Sequence, residues 1–345
     1  MSRKTVLVTG GAGYIGSHTI VALAEQPDCA IVSADNYSNS SAKTYDRIER
    51  ITGKKIQHME CDLSDAEQVK ALFGKFPGIT GVIHFAAFKS VPESVAFPLM
   101  YYRNNVNSLI NLLETAEKAG ATDFIFSSSC SVYGNISSLP VNEMTVPGKT
   151  ESPYAFTKVI GEKILQDFTA VSKKMKGISL RYFNPVGAHE TGLLGELPNQ
   201  RPNNLVPVIT QTAIGKIPEM QVFGSDYGTR DGTCIRDYVH VCDIAGAHVK
   251  ALDFLEKNAS AKKYDVFNLG SGSGVTVLEA IQAFENVSRR ALNYKVAPRR
   301  AGDVEAIFSD SSKAEKELGW QAKRSLREMM ESAWKWEQHL AAEGA

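Results

Sequence analysis

The stretch "VLVTGGAGYIGSH", residues 6–18, joins a short apolar run to the start of a predicted helix. Gly10, Gly13 and Gly16 follow one another at intervals of three residues, a variant of the dinucleotide-binding fingerprint. Glycines at such a junction permit a tight turn and let the backbone approach a pyrophosphate closely. The N-terminus of the following helix then offers N–H groups and a positive dipole end to that anion. The stretch therefore predicts a strand–loop–helix unit that binds a dinucleotide.

Strand-like and helix-like segments alternate through the first half of the chain. Predicted strands are "AIVSADN" (30–36), "GVIHFAA" (81–87), "DFIFSSS" (123–129) and "GISLRYFN" (177–184). Predicted helices are residues 65–76, 100–120 and 152–172. Such alternation implies parallel strands joined by right-handed helical crossovers. We therefore expect an α/β fold with a doubly wound parallel sheet of the Rossmann type.

The composition of the sequence changes at about residue 184, where Gly, Pro and Asn become frequent, as in loops. Elements after this point are shorter and mixed. We predict a dinucleotide-binding domain at residues 1–183 and a smaller α+β domain mainly at 184–345. Segments around 237–275, which include "FNLGSGSG", are expected to return to the first domain. Ligands of open α/β sheets bind at the C-terminal edge of the strands, where the second domain would lie.

Composition excludes several classes of function. The 345 residues include 38 basic and 38 acidic side chains, so the formal net charge is +0. This balance leaves no basic footprint for nucleic acid and no polybasic membrane patch. The first ten residues have too few apolar side chains for a signal peptide, and no apolar run approaches the roughly 18 residues of a membrane span.

Cysteine and histidine usage points to a reducing compartment. The five cysteines are odd in number and form no Cys-x-x-Cys pair, which fits reduced thiols better than a disulfide framework. No His/Cys cluster has the spacing of a metal site. We therefore expect a cytoplasmic protein without a bound metal.

Acidic residues end the next two predicted strands. Asp35 lies 25 residues after Gly10, where a carboxylate can bond both ribose hydroxyls and repel a 2′-phosphate, which favours NAD over NADP. The alternative is a cap of the turn "DNYSNS". Asp62 could contact the adenine or cap the following helix, for which Ser64 is the better candidate.

The stretch "SSSCSVYG" (127–134) could be a serine-rich turn or a strand end that carries a catalytic hydroxyl. Downstream, "ESPYAFTK" begins a helix, with Ser152 suited to the N-cap and Pro153 to the first turn. Tyr154 and Lys158 then share one helix face. A nearby ammonium, together with a nicotinamide cation, would lower the pKa of a phenol from its usual value near 10. Such a pair alone is a common surface contact.

The order of these motifs carries more information than any one of them. A fingerprint loop, a strand ending in Ser129, and Tyr154 and Lys158 some 25 residues later resemble the extended short-chain dehydrogenase/reductases. A longer series, including "VIHFAAFKSVPES", "LRYFNPVGAH", "PNNLVP", "DGTCIRDYVHVCD" and "PRRAGDVE", resembles the UDP-glucose 4-epimerases. The series runs in order from residue 6 to about 305.

This resemblance implies a bound NAD, a UDP-hexose substrate and a set of site residues. The catalytic groups would be Ser129, Tyr154 and Lys158. NAD would be held by Gly10, Gly13, Tyr14, Ile15, Gly16, Asp35, Asn36, Asp62, Leu63, Phe85, Ala86, Ala87, Lys89, Asn104, Ser127, Tyr154, Lys158 and Tyr182. The UDP-sugar would be held by Lys89, Ser129, Ser131, Tyr154, Phe183, Asn184, Asn204, Leu205, Phe223, Arg236, Arg300, Asp303 and Ile307. Guanidinium groups such as those of Arg236 and Arg300 suit a diphosphate.

The implied reaction is reversible C4 epimerisation of UDP-galactose and UDP-glucose through a 4-keto sugar, as in galactose metabolism. The nearest alternative is a nucleotide-sugar 4,6-dehydratase, which needs an Asp-Glu pair where this chain has Cys130 and Ser131. Epimerases of UDP-GlcNAc/UDP-GalNAc or of UDP-glucuronate remain open. A non-catalytic NAD-binding sensor would not need Ser129, Tyr154 and Lys158 together.

Two positions depart from the family pattern. Ser131 replaces a usual threonine but keeps the hydroxyl. Ile307 lies where tyrosine closes the pocket to N-acetylated sugars and a small residue opens it, so its intermediate size does not decide the matter. The family also implies a homodimer, through helices at 100–120 and 152–165. Apolar helix faces in a sheet protein are mostly core, so the sequence alone does not establish this contact.

Overall fold

The computed structural model describes residues 4–197, 202–257, 262–300 and 303–344. Its main feature is a sheet of seven parallel strands: β1 (Lys4–Thr9), β2 (Cys29–Asp35), β3 (Gln57–Glu60), β4 (Gly81–His84), β5 (Asp123–Ser129), β6 (Lys176–Tyr182) and β10 (Tyr264–Leu269). Their order across the sheet is β10-β6-β5-β4-β1-β2-β3. The predicted α/β fold with a doubly wound parallel sheet is confirmed.

Helices cover both faces of this sheet, as parallel strands require. They are α1 (Tyr14–Ala24), α2 (Lys43–Thr52), α3 (Ala66–Lys75), α5 (Pro98–Ala119), α6 (Pro153–Val171) and α8 (Val241–Lys257). The short helix α4 (Val91–Ala96) packs against α5 and α6. Alternate residues of β1 serve the two faces: Val6 and Val8 pack in one apolar cluster, while Leu7 packs in the other. All three side chains are fully buried. The near-continuous apolar runs of the central strands thus reflect burial on both sides.

The remaining elements form smaller sheets beyond the C-terminal edge. They are β7 (Asn184–Val186), α7 (Leu205–Ala213), β8 (Met220–Phe223), β9 (Ile235–His240), β11 (Gly274–Thr276), α9 (Val277–Ser288), β12 (Tyr294–Ala297), β13 (Ala306–Ile307) and α10 (Leu326–Glu343). Strands β11, β9 and β13 form one sheet, with β7 beside β9, and β12 pairs with β8. Residues of β10 lie in the main sheet beside β6. The division of the chain at residue 184 stays a prediction.

Local capping signals explain where several helices begin and end. The side chain of Ser152 accepts from Ala155 N at 3.2 Å, so α6 begins where predicted. Helix α5 ends at Gly120, which adopts the left-handed conformation at φ 85°. The predicted cap of α3 at Ser64 is wrong, because Asp65 caps that helix by accepting from Glu67 N and Gln68 N.

Within the part of the chain that the structure describes, no helix is long and apolar enough to cross a membrane. The same residues contain no group of three or more His, Cys, Asp or Glu side chains that could hold a metal ion.

Candidate active site

Several predicted site residues lie at the ends of neighbouring strands of the main sheet. Strands β1, β2, β4, β5 and β6 run parallel, so their C-terminal ends lie side by side. The register places Ser129, the last residue of β5, opposite Tyr182, the last residue of β6. The loops after these strands therefore lie along one edge of the sheet, where ligands of parallel α/β sheets bind.

The glycine loop allows a very close backbone approach. Gly10 has φ +69°, and a Cβ there would lie 2.7 Å from Ala86 N in the loop after β4. A Cβ on Gly16 would lie 2.3 Å from the carbonyl oxygen of Gly10. Only glycine fits these two positions. Helix α1 follows at once from its N-cap Gly13, without an acidic side chain in its first turn. The loop therefore fits a dinucleotide pyrophosphate.

The carboxylate of Asp35 connects the end of β2 to the glycine loop. Its Oδ2 accepts from Ala12 N at 3.0 Å, while its Oδ1 accepts from Tyr37 N at 2.9 Å and from the Ser40 hydroxyl at 2.7 Å. Asp35 thus caps the turn "DNYSNS", as the alternative interpretation expects. It also lies beside the glycine loop, where its contact with a ribose is predicted. Its ribose contact stays a prediction.

Two further predicted cofactor residues, Asn36 after β2 and Asp62 after β3, also stabilise local turns. Asn36 Oδ1 accepts from Ser38 N at 3.1 Å. Asp62 Oδ1 accepts from both the backbone N and the hydroxyl of Ser64, at 2.9 and 2.8 Å. Asp62 therefore holds the turn before α3 rather than the helix itself.

The proposed catalytic hydroxyl belongs to a strand end, not to a loose turn. Ser129 is the last residue of β5 and caps a short 3₁₀ helix (Cys130–Tyr133) by accepting from Ser131 N at 3.2 Å. Across the cleft, Lys158 Nζ donates to the carbonyl oxygen of Ser127 at 2.7 Å. The same ammonium lies 6.0 Å from the centre of the Tyr154 ring. Serine, tyrosine and lysine are thus brought together.

Burial determines the ionisation of this group. It raises the pKa of Tyr154 to about 12, while the hydrogen bond with Ser129 acts in the opposite direction. It lowers the pKa of Lys158 to about 8, against an upward influence of the Glu162 carboxylate. Lys158 therefore remains mostly protonated at neutral pH. A phenolate at Tyr154 requires positive charge nearby, and Lys158 is placed to supply it.

Other predicted cofactor residues divide into two groups. The hydroxyls of Tyr182 and Ser127 bond each other next to Lys158, and Asn104 donates to Asn105 Oδ1 at 2.9 Å. The side chain of Tyr14 instead donates to Gly187 O at 2.6 Å, and Ile15 and Leu63 pack in the apolar core. For those three residues, the structure gives the side chains packing roles.

A second predicted cluster lies on the smaller sheets. Asp303 accepts from Arg300 at 2.8 and 3.1 Å and forms an ion pair with Arg236 at 3.7 Å. The guanidinium of Arg300 also lies 5.5 Å from the centre of the Phe223 ring. Arg236 further donates to Val304 O at 2.8 Å. Two guanidinium groups thus share one carboxylate, an arrangement suited to a diphosphate.

The predicted sugar pocket has an apolar wall and two unpaired oxygens. Ile307 is buried in a cluster with Phe183, and in the sheet it is paired with Arg236. Among the described residues, Ser131 Oγ and Asn184 Oδ1 are buried without a hydrogen-bond partner. Buried polar atoms nearly always have partners, so these two oxygens suit a polar ligand such as a sugar.

Glu196 was missed by the sequence reasoning. Its carboxylate accepts from Lys89 Nζ at 3.2 Å and from Asn204 Nδ2 at 2.9 Å, two predicted site residues from distant parts of the chain. Leu205, next to Asn204, packs against an apolar cluster. Glu196 stands in a Gly- and Pro-rich loop with no motif of its own, so no sequence signal marked it.

Comparison with known proteins adds family membership to this geometry. Residues 7–333 match a family model described as GDP-mannose 4,6 dehydratase. A curated UDP-glucose 4-epimerase of Bacillus subtilis is 48% identical over 332 residues, 96% of this chain and 96% of the relative. Another, from Erwinia amylovora, is 46% identical over 96% of this chain and 97% of its own. The chain belongs to the UDP-glucose 4-epimerase family.

Solved structures of the UDP-glucose 4-epimerase family agree with this assignment. The enzyme from Stenotrophomonas maltophila, solved with bound NAD and formylated UDP-arabinopyranose, is 44% identical with a TM-score of 0.94, covering 99% of each chain. The enzyme from Bifidobacterium longum, in complex with NAD+ and UDP, is 44% identical with a TM-score of 0.92, covering 97% of this chain and 98% of its own. The predicted resemblance to the UDP-glucose 4-epimerases is confirmed.

The matching family model carries the name of a dehydratase, so the residues that separate the two chemistries matter. A dehydratase needs an acid and a base beside the catalytic serine. Cys130 and Ser131 occupy those places. Burial raises the pKa of the Cys130 thiol to about 12, so at neutral pH it is neither a base nor an effective acid. These positions favour the epimerase relatives over the dehydratase.

Proposed function

We propose that the protein catalyses the reversible inversion of C4 in UDP-galactose and UDP-glucose. The observation that carries the proposal is the bond between Lys158 Nζ and Ser127 O, which holds the ammonium beside Tyr154 and close to Ser129. Relatives at 46–48% identity over nearly the whole chain are named UDP-glucose 4-epimerases, and they support C4 epimerisation over the alternatives.

NAD is the cofactor, as predicted, since family structures contain it bound. When bound, NAD would supply a reversible hydride acceptor for C4 of the sugar. The residues that we propose to hold it are the glycine loop, Asp35, and the loops that follow β3 and β4. Lys158 and Tyr182 would lie beside its nicotinamide half. The close approach of Gly10 to Ala86 supports this cradle.

The chain's own groups handle the proton. Tyr154, as the phenolate, takes the proton of the sugar 4-hydroxyl while Ser129 donates a hydrogen bond to the same oxygen. The charge of Lys158 offsets the effect of burial on the phenol. After the sugar has turned about its link to the diphosphate, Tyr154 returns the proton to the ketone oxygen. General acid–base catalysis of this kind contributes about 10²–10⁴-fold.

The UDP contacts hold the intermediate while the sugar turns. Arg236 and Arg300 bind the diphosphate, with Asp303 between them, and Asn184 and Asn204 bind the remainder of the nucleotide sugar. None of these groups touches C4, so their contacts persist in both orientations of the sugar. Binding energy remote from the reacting centre is thereby used to retain a reactive ketone.

The finer substrate range rests on Ile307. Its buried position beside Phe183 forms an apolar wall of intermediate bulk. UDP-glucose and UDP-galactose are the proposed main substrates, with UDP-GlcNAc/UDP-GalNAc as the second candidate. Epimerisation of UDP-glucuronate shares the same chemistry at C4, and no residue on this wall excludes its carboxylate.

We propose a cytoplasmic homodimer. Several apolar side chains of α4–α6 are exposed: Val95 and Phe97 are 60% accessible, and Leu99 is 65% accessible. Ile110 on α5 and Phe156 on α6 are also exposed, at 38% and 44%. Exposed apolar surface of this extent marks interaction sites. A second copy of the chain would cover it.

Incubation of the purified protein with UDP-galactose and no added cofactor tests the proposal. We expect UDP-glucose to form, because NAD is regenerated in each turnover and need not leave. No conversion, with or without added NAD, would refute the proposal. Formation of a UDP-4-keto-6-deoxy sugar from UDP-glucose would instead identify a dehydratase.

A further inference from the structure

A buried polar network lies directly behind the catalytic strand end. It consists of Ser128, Glu162, Arg181 and Tyr133, and none of these residues is more than 8% exposed. Successive side chains of a strand point to opposite faces. Ser128 therefore points away from Ser127 and Ser129 and into this network.

Glu162 is the centre of the network. Its Oε1 accepts from the Ser128 hydroxyl and from Arg181 Nε, the latter at 2.8 Å, and its Oε2 accepts from Arg181 Nη2 at 2.6 Å. Arg181 Nη1 donates to the Tyr133 hydroxyl at 3.0 Å. That hydroxyl donates onward to Asn268 Oδ1 at 2.7 Å. One carboxylate is thus held by three hydrogen bonds, two of them from the Arg181 guanidinium.

Each member of the network neighbours a predicted site residue in the chain. Glu162 lies one helical turn beyond Lys158 on α6, and Ser128 lies between Ser127 and Ser129 on β5. Arg181 precedes Tyr182 on β6. Tyr133 ends the 3₁₀ helix that Ser129 caps. The network therefore joins β5 and α6, which carry the proposed catalytic groups, to β6 and the 3₁₀ helix.

We propose that Glu162 is a positioning residue, which fixes α6 against the end of β5 and so sets Tyr154 relative to Ser129. The inference rests on the proposed epimerase function. Glu162 touches neither the phenol nor the reactive serine and acts through Ser128 and Arg181. A bidentate carboxylate–guanidinium pair resists distortion, because loss of either partner leaves a buried charge unpaired. Misplacement of reacting groups by about 1 Å can cost about 100-fold in rate.

Two substitutions with matched controls test the role. Ser128→Ala removes the link to β5, and Glu162→Gln removes the charge. Ser179→Ala is the control for a buried hydroxyl, since Ser179 Oγ accepts from Tyr264 on the neighbouring strand. Glu337→Gln is the control for a buried, paired carboxylate, since Glu337 accepts from Lys216 on a different part of the fold. Each protein is assayed for UDP-galactose epimerisation, bound NAD and thermal unfolding.

We expect kcat to fall about tenfold in Ser128→Ala and further in Glu162→Gln, because the reacting groups are displaced. KM for UDP-galactose should stay within about twofold, because the diphosphate contacts are remote. Both controls should keep kcat near that of the wild type. A loss of stability alone would not account for a lower kcat with a bound-NAD content and a KM that are nearly unchanged.

The role is overturned if Ser128→Ala keeps the kcat of Ser179→Ala, and this comparison decides the matter even if Glu162→Gln does not fold. A rise in KM with unchanged kcat would overturn it equally. An inactive wild type would refute the proposed function itself, and this inference with it. An active wild type with variants that match their controls would refute only the positioning role.

Discussion

The ammonium of Lys158 donates to the carbonyl oxygen of Ser127 at 2.7 Å, on the strand that ends two residues later in the reactive serine. The bond fixes a positive charge close to the phenol of Tyr154, although the Lys158 side chain is buried and Tyr154 is partly buried. Burial alone would hold the phenol neutral at any physiological pH, because it raises the pKa of Tyr154 to about 12. We therefore propose that the placement of Lys158 makes base catalysis by Tyr154 feasible.

Replacing the phenol of Tyr154 by the benzene ring of phenylalanine tests the assignment of Tyr154 as the base. We expect Tyr154→Phe to retain bound NAD and to lose about 10²–10⁴-fold in kcat, because the proton acceptor is gone while the helix surface is kept. The conversion of UDP-galactose measures kcat, and the absorbance of bound nucleotide measures the NAD content. Tyr102→Phe, on α5, serves as the control for loss of a phenol elsewhere. Near-normal turnover of Tyr154→Phe would show that the base is misassigned.

The apolar wall at Ile307 leads to a prediction about substrate range. Ile307→Tyr should lower activity on UDP-GlcNAc selectively, by about tenfold or more, since discrimination by bulk in a pocket spans about 10–200-fold. Ile307→Val, which removes only one methylene group, is the matched control and should not reduce that activity. The measurement is kcat/KM for both substrate pairs in each variant. An equal loss on UDP-glucose and UDP-GlcNAc would argue against a gate at this position.

Buried histidines should make the fold sensitive to acid. Burial lowers the pKa of His18, His84 and His240 to about 3 and that of His248 to about 4. In the unfolded chain these groups take up protons near pH 6.5, so the unfolded state binds more protons between that pH and the lowered pKa. Stability should therefore fall as the pH falls below about 6.5, by up to about 1.4 kcal/mol per unit and histidine.

The Tm between pH 7.5 and 5 measures this effect. His248→Gln, which cannot take up a proton, should show a smaller decrease of Tm over this range than the wild type. Parallel pH profiles for the wild type and His248→Gln would contradict the assignment.

The exposed apolar surface of α4–α6 predicts the assembly state. Ile110→Glu places a charge in the proposed contact between copies and should shift the protein from dimer to monomer, because an unpaired charge in an interface is costly. Val296→Glu changes a side chain that is 56% exposed on β12 in the same way and should not affect assembly. Sedimentation equilibrium distinguishes the two. A monomeric wild type would refute the proposed dimer.

Much of the fold could be predicted because its signals are local. The glycine loop must follow a strand and precede a helix, and apolar runs such as residues 123–129 are strands buried on both faces. The N-cap of α6 at Ser152 could be predicted in the same way. The start of α3 could not, since Ser64 and Asp65 are both good N-cap residues. The choice depends on Asp62, whose carboxylate already accepts from Ser64.

The parts that could not be predicted depend on contacts between distant residues. Nothing near Glu196 indicates that it joins Lys89 to Asn204, since these partners lie 107 and 8 residues away. The direction of the Tyr14 side chain, towards Gly187 O, likewise depends on a segment 173 residues later. Strand alternation places Ser128 on the face opposite to Ser127 and Ser129, but its partner Glu162 lies 34 residues later and carries no sequence signal.

Transfer of the C4 hydrogen is the central claim, and isotopic labelling tests it most directly. UDP-galactose carrying deuterium at C4 is converted by the enzyme in ordinary water, and the UDP-glucose formed is examined by mass spectrometry and NMR. The account predicts that deuterium is retained at C4 of the product, because hydride leaves and returns within one closed site. Replacement of the label by solvent hydrogen would contradict it.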